Sequence, residues 1–136
     1  MNSFTLDPAL SRDTIEIMKL ELCYLGLMND KRYPWLILVP MRAEMVELID
    51  LQPEDQQQLL TEINQVSHLL QSVFSPHKLN IATLGNMVRQ LHIHIIARDQ
   101  TDPAWPGPIW GIGSAQPYNK DEADSIIARL TTRLMS

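Results

Sequence analysis

Gln90-Leu91-His92-Ile93-His94-Ile95-Ile96 is the stretch on which the fold of this chain turns. β-Branched and aliphatic residues dominate positions 91–97, and no Gly or Pro interrupts them, so the segment predicts a strand. Successive side chains of a strand point to opposite faces. Gln90, His92 and His94 are therefore expected on one face, with Leu91, Ile93 and Ile95 on the other. Two imidazoles and an amide backed by an apolar face mark a candidate site.

Working outward from that strand, residues 79–84 (LNIATL) read as its neighbour, joined to it through a turn at Gly85-Asn86. Earlier in the chain, residues 22–28 (LCYLGLM) and 35–39 (WLILV) are apolar runs separated by the polar turn Asn29-Asp30-Lys31-Arg32. They predict an antiparallel hairpin of two central strands. Residues 15–20 alternate apolar and polar, as a half-buried strand would, and residues 1–14 read as a turn-rich lead. Between the hairpin and the LNIATL strand, Leu59, Leu60, Ile63, Val66, Leu69, Leu70, Val73 and Phe74 follow the spacing of one helix face. Pro53 suits the first turn of that helix and Pro76 blocks its continuation, which gives a helix over 53–74. Residues 99–118 are rich in Pro and Gly and predict a long irregular segment, and 121–135 a final helix. The expected fold class is α+β: an antiparallel sheet of about five strands with one long and one C-terminal helix, in a single domain over 1–136.

Composition narrows the function. A net charge of −5 argues against a nucleic-acid polymer as partner, since neutralising phosphates takes clustered Lys and Arg. A small anion needs only local donors and stays open. One cysteine, Cys23, excludes an intramolecular disulfide and a Cys-based zinc site, and its apolar surroundings predict a buried structural thiol. No basic-then-apolar leader opens the sequence and no apolar run nears the roughly 20 residues that span a bilayer, so a cytoplasmic protein with no membrane partner is expected.

The histidines admit three readings. His-x-His on a strand can chelate zinc or copper, but a site needs three or four ligands. The remaining histidines, His68 and His77, repeat no ligand spacing, so no metal is expected. A neutral imidazole held at one ring nitrogen is a nucleophile at the other, and neighbouring groups can donate to an anionic group under attack. The third reading makes both satisfied residues of a core. Serine hydrolase, Walker and Rossmann signatures are absent from the sequence.

The pattern resembles the histidine-triad (HIT) superfamily, whose signature is His-x-His-x-His-x-x with apolar x. Here Gln90 takes the place of the first His. The resemblance extends over roughly residues 15–112, through hairpin, long helix, LNIATLGN strand and turn, and triad strand. The QLHIHIIAR version followed by WPGPIWG is similar to a bacterial subgroup described as diadenosine-tetraphosphate-hydrolase-like. The resemblance implies a homodimeric nucleotide hydrolase or transferase, with no cofactor required, that works at an α-phosphate through a covalent nucleotidyl-histidine. By position, His92 corresponds to the nucleophile and His94 to the phosphate-side partner. The Gln90 carbonyl corresponds to the group that orients His92. Asn29 matches a ribose-binding residue, Asn80 an amide near ribose and α-phosphate, and Gly85-Asn86 the turn facing the phosphates. For the three asparagines, ordinary turn chemistry is the competing reading. Trp35 falls where many members place a supporting His. A non-catalytic nucleotide-binding module and a metal-binding protein are the alternatives. Trp105 and Trp110 suit either stacking on a base or covering the sheet, and Arg98 reads as a solvated charge.

Overall fold

Asp7 starts the first element. Its carboxylate accepts from the Ala9 amide at 2.8 Å and Pro8 fills the first turn of α1 (Pro8–Asp13). The expected turn-rich lead therefore holds a helix, six residues long and too short to show a periodic pattern in sequence. The computed structural model describes residues 3–136.

Five antiparallel strands follow in the order β1-β2-β3-β5-β4: β1 (Thr14–Lys19), β2 (Cys23–Met28), β3 (Trp35–Pro40), β4 (Lys78–Ala82) and β5 (Ile93–Arg98). The α+β class and both hairpin strands are as expected. The strand carrying the histidines is shorter than its apolar run, because Gln90, Leu91 and His92 enter it from a loop.

The period-2 rule sorts the side chains of β5 between two cores. Leu91, Ile93, Ile95 and Ala97 join Leu25, Leu27, Leu36 and Leu38 in one cluster, which the helices α2 (Pro53–Phe74) and α3 (Lys120–Leu134) cover. Trp35, Ile37, Val39 and Ile96 face the other way, into a cluster closed by Leu10, Tyr33 and Ile109, with Phe4, Leu6 and Trp110 packed on it. Burial on both faces explains why residues 35–39 show no alternation in sequence. Cys23 is fully buried, and burial pushes its thiol up.

The helix α2 departs from its expected face at two positions. Leu60 is 58% exposed, whereas Glu62 is 1% exposed and turned inward. The Glu62 carboxylate accepts from the backbone amides of Leu22 and Cys23 at 2.8 and 2.9 Å and from the Gln58 amide at 2.7 Å. It thereby joins the long helix to the entrance of β2, where no ladder partner serves those two amides. Ser75 ends the helix in the left-handed conformation, one residue before Pro76. Glu62→Ala should orphan both amides and lower stability by about 2–4 kcal/mol. Denaturant unfolding would measure it, with Glu62→Gln recovering part of the loss; an unchanged Ala variant would refute this role.

Candidate active site

His92 sits at the loop entering β5 and is 5% exposed. Its Nδ1 lies 2.6 Å from the carbonyl oxygen of Gln90. A carbonyl only accepts, so Nδ1 carries the hydrogen, and in the neutral ring Nε2 keeps its lone pair. No described residue bonds to Nε2, and the ring lines a cavity of about 340 Å³. Around that cavity stand Thr83, Gly85, Asn86, Val88, Arg89 and Glu47. The Arg89 guanidinium is exposed and, among the described residues, has no hydrogen-bond or ion-pair partner. An anion entering the cavity would meet an uncommitted cation and the polar turn 85–86.

Gly85 brings that turn onto the histidine. A Cβ built there would lie 2.7 Å from the Val88 carbonyl oxygen and 3.0 Å from Cε1 of His92. No side chain larger than hydrogen fits without moving the loop or the ring.

His94 stands with its ring centroid 4.8 Å from that of His92, on β5 itself and 4% exposed. The Trp35 indole N–H donates to its Nδ1 at 3.0 Å, and its Nε2 lies 2.9 Å from the Leu84 carbonyl oxygen. Both ring nitrogens of His94 thus have protein partners in this structure. Burial holds its imidazole down to about 4, with the Leu84 carbonyl opposing that and His92 adding to it. Trp110 packs edge-on against His94 at 5.1 Å and Trp35 at 6.3 Å, so this tryptophan covers the site's back wall.

The Gln90 side chain points away from the cavity's chemistry. Its Oε1 accepts from the Asp7 amide at 2.8 Å and its Nε2 donates to the Thr5 carbonyl at 2.9 Å. Only its backbone serves His92. Asn80 is likewise committed elsewhere, accepting from Arg98 Nη1 at 2.7 Å. Asn29 accepts from the Tyr118 amide at 2.9 Å and lines a separate cavity with Met28, Asp30 and Trp35. Of the residues expected at the site, His92, His94, Gly85, Asn86 and the Gln90 backbone come together; Asn29 and Asn80 do not join them.

Arg98 is 1% exposed and not the solvated charge its sequence context suggests. It forms a two-pronged pair with Asp102, at 2.8 and 3.0 Å, and donates to the Gly107 carbonyl at 2.8 Å. Tyr33 and Trp105 flank its guanidinium. Burial pushes the Asp102 carboxyl up, but Arg98 and backbone donors outweigh this and bring it down to about 2. Arg98 thus anchors the 99–110 loop that carries Trp110 to the site. Among the described residues, no three His, Cys, Asp or Glu side chains converge as a metal-ligand set. No helix among them is long and apolar enough to cross a membrane.

His94 makes stability depend on pH in a predictable sense. Unfolded, it takes up a proton below its ordinary 6.5; folded, only near 4. Its contribution is complete above pH 6.5 and is lost as pH falls toward 4. Between those limits the protein should lose on the order of 3 kcal/mol more than a His94→Gln variant. Parallel unfolding curves of the two proteins at pH 7 and pH 4 would refute it.

Comparison with known proteins gives the chain a family. A family model described as HIT domain matches residues 10–101. A histidine triad protein from Sinorhizobium meliloti is 50% identical, with a TM-score of 0.93 over 95% of this chain and 96% of that one. One from Bradyrhizobium japonicum is 44% identical, with a TM-score of 0.95 over 98% and 99%. A third, from Marinobacter aquaeolei, is 42% identical, with a TM-score of 0.96 over 98% of each chain. Among curated proteins, none matches significantly.

Proposed function

This chain belongs to the HIT domain family, whose members are generally nucleotide-binding hydrolases or transferases, and from that premise we propose that it cleaves nucleotide derivatives at the α-phosphate through His92. The observation that carries the reading is the Nδ1–H bond from His92 to the Gln90 carbonyl, which leaves Nε2 as a lone pair lining the cavity. In the first step Nε2 attacks the α-phosphorus and forms an N–P bond. The bond from phosphorus to the leaving group breaks, and its electron pair departs with that group. Water then attacks the same phosphorus, the N–P bond breaks with its pair returning to Nε2, and a proton is released.

The turn at Gly85-Asn86 and the Arg89 guanidinium are suited to the charge on the phosphates, the turn through polar donors and Arg89 as an unpaired cation. Substrates compatible with the site include dinucleoside polyphosphates and nucleoside phosphoramidates, since both present an α-phosphate to His92. Replacement of the first triad His by Gln90 does not touch nucleophile activation, because the carbonyl that orients His92 belongs to the backbone. The functional unit in this proposal is a homodimer, as the resemblance implies, and no cofactor takes part.

His92→Ala should lower hydrolysis of a panel of these two substrate types by roughly a thousandfold or more while nucleotide binding stays measurable. Rapid acid- or base-quench with labelled substrate should trap an adduct on the wild-type protein and none on the variant. Full turnover by His92→Ala would overturn the mechanism; binding without an adduct or turnover in the wild type would favour a non-catalytic nucleotide-binding module. Gly85→Ala should cost on the order of a hundredfold in kcat by displacing the His92 ring, with the global unfolding midpoint little changed.

A further inference from the structure

The mechanism leaves His94 and Trp35 without a task, although they lie directly behind the nucleophile. Building on the His92 reading, we propose that Trp35 is a positioning residue: it locks His94 in one tautomer and so turns it into a neutral strut that holds the Gly85 turn against His92. The indole N–H can only donate, so the Nδ1 it meets at 3.0 Å must offer a lone pair. The ring hydrogen is then on Nε2, where it donates to the Leu84 carbonyl at 2.9 Å. Leu84 immediately precedes Gly85, which lies so close to His92 that an added Cβ would stand 3.0 Å from Cε1. Trp35, His94, Leu84, Gly85 and His92 therefore form one connected path of short contacts.

The polarity of that path is fixed at both ends, because the Leu84 carbonyl only accepts and the Trp35 indole only donates. A side chain at position 35 able both to donate and to accept, such as histidine, would leave the choice of tautomer to Leu84 alone. Tryptophan adds a second lock. With its only N–H spent on Leu84, His94 carries no proton to or from a substrate. The groups facing it leave little else to disturb that state: Trp35 and Ile37 on β3, Ala82 on β4 and Trp110 from the loop have no titrating group, and His92 is its titratable neighbour.

Nitrogen-15 histidine NMR of the full chain tests the tautomer without requiring activity. At pH 7 the wild-type His94 signal should be that of a neutral ring protonated on Nε2 alone. Trp35→Phe keeps an aromatic ring but removes the donor. It should give mixed tautomers, lower kcat roughly tenfold with KM little changed, and add an ionisation to the kcat–pH profile. Trp35→His, which can donate, should restore part of the Nε2–H signal. A wild-type His94 protonated on Nδ1 would overturn the proposal, as would a folded Trp35→Phe protein with unaltered tautomer and kcat. The wild-type spectrum and that of Trp35→His remain as tests where Trp35→Phe does not fold. A wild-type protein inactive on every substrate would overturn the His92 reading, and the spectrum would still report on Trp35 separately.

Discussion

Burying imidazoles and a guanidinium in a layer closed on both sides is the constraint from which the rest of this molecule follows. An unpaired polar group in that position costs about 1–3 kcal/mol, and more when charged. Each polar side chain of the strand has accordingly been given fixed partners. The Gln90 carbonyl takes the His92 hydrogen, Trp35 and Leu84 share His94, and Asp102, Asn80 and Gly107 surround Arg98. The partners come from β3, β4 and the loops on either side of β5. Satisfying the strand therefore also fixes the walls of the cavity beside His92. Among the described residues, Nε2 of His92 is left without a partner, and its ring borders open space.

The same constraint separates two kinds of polar residue. His94, Arg98 and Glu62 are buried and fully committed; they shape the site or the fold and have little freedom to meet a ligand. Arg89 and Asn86 are exposed and line the cavity. Chemistry that depends on an incoming anion falls to this second group together with His92. Proximity to the motif is thus a poor guide to role: Arg98 and Arg89 lie nine positions apart and do opposite things.

Much of the architecture was legible in the residues alone because it rests on short-range regularities. Period-2 alternation placed His94 opposite Ile93 and Ile95, and a 3.6-residue stripe with Pro53 and Pro76 marked the long helix. What stayed hidden depended on partners distant in sequence. Nothing local to Arg98 shows that Asn80, Asp102 and Gly107 will enclose it, and a glutamate in a helix ordinarily reads as solvated until two unpaired amides at Leu22 and Cys23 call for it. Trp35 is apolar enough to read as core; its indole hydrogen bond is visible only once β3 and β5 are paired. At the candidate site, the family pattern located His92 and the Gly85-Asn86 turn. It did not foresee that His94 would be walled in or that the Gln90 side chain would turn to residues 5–7.

That last contact has a consequence in time as well as in space. The amide of Asp7 is held by a side chain 83 positions further along the chain. During synthesis the segment around Thr5 and Asp7 leaves the ribosome long before Gln90 has been made, and domains are laid down in that order. Its two hydrogen bonds to the Gln90 side chain must wait until the last strand of the sheet is in place. The segment made early is thus among those secured late, by a side chain two positions before His92.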